Sequence, residues 1–288
     1  MLKTILLFLS TAVLAAAAID LSLTAAGRKP QTVASSQHTF LGFDRDIYPG
    51  DAAFQTLHKT FAFTGYWLSP PPTGKVTSWI AKRDFLRSAG FGFLVLYRGR
   101  DSHEFKRNSD GPEKGTLDAH SAVAAAKKEG FPANTIIFLD IEEGGRLSPI
   151  YHAYLHAWAD VLARNGYRAG VYCSGMPVTE SASVTILTSD DIRANAGGRK
   201  FAFFIYNDAC PPSPGCSFPV PAPPPQDSGV SYALAWQFAQ SPRRKQFTVH
   251  CPSNYRGNGN CYSPPDTAYT WELDVDTAST ADPSDGAR

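Results

Sequence analysis

No glycine-rich nucleotide loop occurs in the 288 residues: GxGxxG and GxxxxGKS/T are both absent. Their absence removes the usual backbone cradles for nucleotide phosphates. GxSxG is missing too, so YCSG at 172–175 is not a nucleophile elbow. HAYLH sets His152 and His156 four residues apart, a spacing that suits a metal, but the glutamate of HExxH is lacking and this helix belongs outside the fold. The cysteine spacings do not resemble a zinc site either. No metal and no cofactor is therefore expected. An excess of one charge is also missing: 27 Lys and Arg stand against 26 Asp and Glu, for a net charge of +1. Nothing in that balance invites nucleic acid. The one basic cluster, SPRRKQ at 241–246, reads as a solvated loop.

An apolar run of full membrane length is absent as well. The chain starts MLKTILLFLSTAVLAAAAID, where one lysine precedes an apolar stretch and small residues follow. That layout predicts a secretory signal peptide over 1–26, cleaved after Ala18 or Ala26. The run over 4–19 is short of the ~20 residues that span a bilayer, and no cysteine lies nearby for lipid attachment. The expected location is secreted, periplasmic or cell-surface, without a stable membrane anchor after cleavage. Cysteine is scarce, with five residues. Export makes disulfides available to them. Cys210 and Cys216 flank PPSPG, and Cys251 and Cys261 flank PSNYRGNGN, so two local bridges are expected, 210–216 and 251–261. Pairing across the two loops is the open alternative. Cys173, inside an apolar strand, reads as a buried, inert thiol.

What is present is alternation. Strand patterns fall at 39–46, 61–68, 91–100, 135–143 and 167–175. Helical patterns lie between them at 51–60, 76–89, 117–129 and 149–164, the last stopped by Asn165 and Gly166. Three more strands follow at 200–209, 231–240 and 271–278, joined by Pro-rich loops. Eight strands are the number that closes a parallel barrel. The expected fold is α/β: an irregular (β/α) TIM-like barrel over 39–278, with five β/α units followed by three loop-connected strands. Residues 279–288 read as a disordered tail.

Acids gather where these strands stop. TIIFLDIEEGG, at 135–145, is apolar until Asp140, Glu142 and Glu143. Side chains two apart share a face, so Asp140 and Glu142 point together and Glu143 points away. GFDRD pairs Asp44 with Asp46 in the same way, and ELDVD pairs Asp274 with Asp276. In a parallel barrel, carboxyl ends of strands meet at one mouth. Crowded carboxylates there push at least one pKa upward, so that one stays protonated while a neighbour is ionised. That division suits cleavage of a glycosidic bond. Aromatic residues near strand ends could stack on sugar rings: Tyr66, Trp67, Tyr97, Tyr172, Tyr206 and Trp236. Of Trp236 and Gln237, one must face inward, and the glutamine could bind a hydroxyl or order a carboxylate.

GFD (42–44), FLDIE (138–142), GVYCS (170–174), AWQF (235–238) and LDVD (273–276), in this order, carry a family likeness. The chain resembles the glycoside-hydrolase-like TIM-barrel family first catalogued as a domain of unknown function, itself similar to the family-25 glycoside hydrolases, the muramidase-type lysozymes. The likeness covers roughly 39–278. It implies Glu142 as proton donor, Asp140 as stabiliser of charge or of a substrate acetamido group, and Asp44 and Asp274 lining the same site. It also implies a polysaccharide substrate, peptidoglycan with N-acetylated sugars among the candidates. Where many members of this branch carry Arg-Tyr at the end of the second strand, this sequence has Gly65, Tyr66 and Trp67. The expected activity is that of a secreted glycoside hydrolase. The alternative is a non-catalytic carbohydrate-binding protein on the same scaffold.

Overall fold

The computed structural model describes residues 38–209, 221–241 and 273–288. The expected signal peptide and the four cysteines of the expected disulfides lie outside the described residues. Five β/α units come first: β1 (Phe40–Asp44) and α1 (Asp51–Leu57), β2 (Phe63–Trp67) and α2 (Arg83–Ser88), β3 (Gly92–Arg98) and α3 (Asp110–Lys128), β4 (Ile136–Asp140) and α4 (Pro149–Arg164), then β5 (Arg168–Ser174). A hairpin of β6 (Val178–Ser181) and β7 (Val184–Ile186) precedes α5 (Thr188–Ala194). β8 (Ala202–Tyr206), β9 (Ala235–Ala239) and β10 (Asp274–Ala278) complete the set. Eight strands close into a barrel in the order β1-β10-β9-β8-β5-β4-β3-β2.

One feature departs from an all-parallel barrel. β10 runs antiparallel to both β1 and β9. β9 stops and β10 begins at the same mouth, where Ser241 N–H donates to Asp274, so the two neighbouring strands run in opposite directions. Asp274 therefore opens its strand instead of ending it. It still stands at the mouth, opposite Asp44, while Asp276 lies one layer deeper, opposite Gly42.

Alternation sorts the strand side chains into two layers. Phe43 packs against Phe54, Phe61 and Phe91 on the helix side, which turns Gly42 and Asp44 inward. Phe93 meets Phe131 and Tyr97 meets Trp158, leaving Leu94 and Leu96 inside. Phe138 and Phe204 touch across the interior, ring centroids 6.1 Å apart. The barrel is thus filled with hydrocarbon beneath a polar rim.

The helix layer differs from the sequence pattern in three places. α2 spans only Arg83–Ser88, because Ala81 takes a positive φ of 62° and its N–H donates to Glu129 Oε2 at 2.6 Å. α3 starts at Asp110, seven residues before the apolar periodicity. Its first turns hold Gly111 and Gly115, poor helix formers that let α4 approach: a Cβ at 115 would stand 2.3 Å from the Tyr154 carbonyl oxygen. α5 and the hairpin are short, and only a few of their residues are buried, so their periodic signal is weak.

The expected disordered tail over 279–288 is instead built into the end of the barrel remote from the mouth. Ser284 N–H donates to Phe93 O, and Ser284 O accepts from Ile136 N–H, both at 2.8 Å. Its hydroxyl accepts from Val95 N–H at 2.9 Å, and Asp282 accepts from Phe93 N–H at 3.0 Å. Direct pairing of β3 with β4 begins only at Val95 and Ile137, so Ser284 fills the gap below. Arg83, buried over the Phe131 ring, holds Gly286 O at 2.8 Å. Small polar residues gave no apolar pattern to read, yet their backbone groups satisfy strand ends.

Candidate active site

The mouth holds a small, open hollow of about 70 Å³. Asp44, Asp140, Glu142 and Asp274, drawn from three strands and the turn after β4, all line it. Asp46 joins them from the turn after β1, where Thr73 donates to its carboxylate and the Trp79 indole holds the backbone carbonyls of Arg45 and Asp46 at 3.2 Å. Glu143 points away from the hollow, as its odd register predicts, and takes a hydrogen bond from the Ser102 backbone. The turn that follows uses Gly145 at φ 83°, and its N–H donates to Thr188 at 2.8 Å. The apolar strand therefore works as a stem that presents Asp140 and Glu142, and the glycine lets the chain leave.

Gly65 explains how Asp44 fits. A Cβ on Gly65 would come 2.5 Å from the Asp44 Cβ, so the absent side chain is the space the carboxylate uses. Gln237 then fixes that carboxylate, donating from Nε2 to Asp44 Oδ2 at 2.7 Å. The Gln237 carbonyl accepts from Tyr172 OH at 2.8 Å and from Gln240 Nε2 at 3.0 Å. Asp274 accepts from Ser241 N–H at 2.6 Å. Asp140 differs: it is 4% exposed, and among the described residues no N–H or O–H reaches either of its oxygens.

These surroundings set the protonation. Burial at the top of an aromatic core pushes the Asp44 carboxyl up to about 7, against the pull of Gln237 and with a further push from Asp46. Burial, then the like charge of Glu142, holds Asp140 well above the ordinary carboxylate range. Glu142, at the exposed rim, is raised more gently by desolvation, with Asp140 lowering it by hydrogen bonding. Asp274 is also held high, by burial and then by Asp44. Of this pair, the buried Asp140 is thus pushed further toward its protonated form than Glu142.

Of the seven candidate substrate contacts, Trp67, Tyr172 and Gln237 line the hollow. Trp67 is 4% exposed, and its indole N–H has no partner among the described residues. The others are corrected. Tyr66 turns outward, packs on Trp79, Phe93 and Phe131, and donates to Glu129. Trp236 also turns outward and donates to Asn207 O at 2.9 Å, so Gln237 is the inward member of that pair. Tyr97 stacks on Trp158 in the helix layer. Tyr206 is half-buried at the end of β8, outside the lining of the hollow. Sequence reading missed Leu96, Phe204 and Gln240 in that lining. Leu96 and Phe204 were accessible from period-two spacing alone, once one inward residue of each strand is known. His152 and His156 serve α5, through Asp191 at 3.0 Å and Asn195 O at 2.6 Å. Cys173 is buried, and burial pushes its thiol up, as an inert cysteine requires.

No curated protein matches the sequence. Solved structures are similar to it. An uncharacterised B. stearothermophilus protein aligns with a TM-score of 0.51 at 21% identity, over 83% of this chain and 95% of that one. The Mycobacterium tuberculosis Tat-secreted protein Rv2525c gives 0.48 at 18%, over 84% and 95%. The catalytic domain of endolysin ply40 from bacteriophage P40 of Listeria monocytogenes gives 0.46 at 16%, over 84% and 94%. At these identities the likeness concerns fold alone. A family profile described as Rv2525c-like, glycoside hydrolase-like domain matches residues 78–278. With that match over most of its length, the chain belongs to the Rv2525c-like, glycoside hydrolase-like family.

Proposed function

We propose that the protein is a secreted glycoside hydrolase that cleaves a polysaccharide of N-acetylated sugars, peptidoglycan foremost, by carboxylate acid/base catalysis. The observation that carries this reading is the meeting of Asp44, Asp140, Glu142 and Asp274 in one solvent-reachable hollow, with burial holding protons on some of them. Glu142 is the member that solvent, and hence a glycosidic oxygen, can reach. Asp140 lies beneath it with a proton and no other partner. In this mechanism Asp140 passes its proton outward, and Glu142 delivers it to the leaving oxygen. Ionised Asp44, oriented by Gln237, stabilises positive charge at the anomeric carbon. Trp67 supplies an apolar ring and an unpaired N–H that suits a sugar hydroxyl or an acetamido carbonyl. The N-terminal apolar run fits export to the compartment where such a polymer is found.

The test is release of reducing ends from peptidoglycan and a panel of other polysaccharides. The wild-type protein is expected to be active on at least one. Glu142→Gln, which keeps shape and removes the transferable proton, is expected to lose activity by ~10²-fold or more with an unchanged melting curve. Retained activity in Glu142→Gln would take the residue out of this role. An inactive wild-type protein that still binds a glycan would instead make the hollow a carbohydrate-binding site.

A further inference from the structure

Asp276 is a buried acid with no place in that mechanism. It is 0% exposed, and among the described residues no N–H or O–H reaches either oxygen. Across the sheet it is paired with Gly42 on β1 and with Gln237 on β9, directly beneath Asp44 and Asp274. Gly42 offers no side chain, and the amide of Gln237 is spent on Asp44, Tyr172 and Gln240. Among the described residues, the charged groups that face it are Asp44 on β1 and Asp274 on its own strand, both acids. Among the described residues, an ionised carboxylate here would have neither donor nor counter-charge, and it has no solvent. A protonated one has a single use for its hydrogen, the carboxylate of Asp44 above it.

We propose that Asp276 is a positioning residue, which keeps its proton in the folded protein and donates it to Asp44, so that Asp44 is held from below by Asp276 and from the side by Gln237. The assignment of a job to Asp44 rests on the function proposed above; the buried proton on Asp276 does not. Burial, then Asp44 and Asp274, holds the Asp276 carboxyl well above the usual carboxylate range. The same contact acts in the opposite sense on Asp44, lowering it. Two acids thus divide one proton, the inner keeping it and the outer free to carry charge at the mouth.

Three proteins test this: wild type, Asp276→Asn and Asp276→Leu. Asparagine keeps a donor of the same shape, while leucine fills the space without one. The unfolded chain releases the Asp276 proton above pH ~4, whereas the fold retains it. Relative to Asp276→Asn, the folding equilibrium of the wild type should therefore fall about tenfold per pH unit from pH 5 to 7. Carbon-13 NMR of the aspartate side-chain carboxyls should show one protonated signal at pH 7 that Asp276→Asn removes. On the hydrolysed substrate, Asp276→Asn should keep the wild-type pH profile. Asp276→Leu should move the acid limb upward by about one to two units, the loss of a hydrogen bond to a charged group. A stability deficit of Asp276→Asn that grows with pH, or no missing NMR signal, would overturn the buried proton. Coincident profiles for all three proteins would overturn the positioning of Asp44. If no substrate is cleaved, the carboxyl signal of Asp44, titrated in wild type and Asp276→Leu, reads the same shift directly.

Discussion

Gln237 donates to Asp44 and accepts from Tyr172 and Gln240, so one amide ties a carboxylate to a phenol and a second amide. A hydrogen bond to the charged form favours that form, and this bond opposes the burial that raises Asp44. Gln237→Leu removes the donor and leaves the Tyr172 hydroxyl facing hydrocarbon. Its expected effect is an upward shift of about one unit in the acid limb of the pH–kcat/KM profile, with about a tenfold loss at the acid side. A pH–rate profile checks it; an unmoved limb would free Asp44 from control by Gln237. The sequence made part of this legible. AWQF at strand spacing says that Trp236 and Gln237 face opposite ways. It does not say which way is in, and the indole contact with Asn207 O decides that. Gly65 is a similar case: read as a departure from a family pattern, it is the space in which Asp44 stands.

Among the described residues, helices α3 and α4 form the most extensive contact between elements of the outer layer, and the glycines of α3 permit it. Gly115→Leu would drive a side chain into the Tyr154 carbonyl oxygen, 2.3 Å from the new Cβ. The expected cost is about 1–3 kcal/mol of unfolding free energy, typical of overpacking. Leu117→Ala on the exposed side of the same helix should cost within about 0.5 kcal/mol. Urea titration of both variants checks the contrast, and equal losses would mean that α4 yields to the bulk. The two helices also show why elements differ in legibility. α4 has a Ser148 cap that accepts from Tyr151 N–H at 3.2 Å, Pro149 at its first position and an apolar stripe, and its limits match the sequence pattern. α3 begins with glycines and a proline, chosen by its neighbour, so local propensity misplaced its start.

For the molecule as a whole, the acids of the mouth invert the usual response to pH. Asp44, Asp140, Asp274 and Asp276 all have folded pKa values raised above the unfolded value, Asp44 to about 7. A raised acid contributes fully below the unfolded value, ~4, and its contribution is lost as pH rises toward the folded value. Each such group costs up to ~1.4 kcal/mol per pH unit across that window, less where the groups share protons. His152, which burial pushes down, opposes the trend, but one imidazole stands against these four carboxyls and Glu142, which desolvation also raises. The melting temperature is therefore expected to fall from pH 5 to pH 8. Thermal unfolding across that range checks it, and a rise would mean that the mouth is ionised in the fold.

Apolar alternation, turn residues and acids at strand tips were set in the sequence, because spacing of two and the length of hydrophobic runs are local properties of a chain. They were enough for eight strands, a barrel and the address of Asp44, Asp140 and Glu142. The tertiary structure alone decided that β10 runs backward, so that Asp274 reaches the mouth from the start of its strand, and that the last residues close the far end of the barrel. It alone decided which carboxyls burial pushes upward. Strand direction follows from how distant segments connect, and a carboxyl's charge from everything packed around it, and neither is carried by neighbours along the chain.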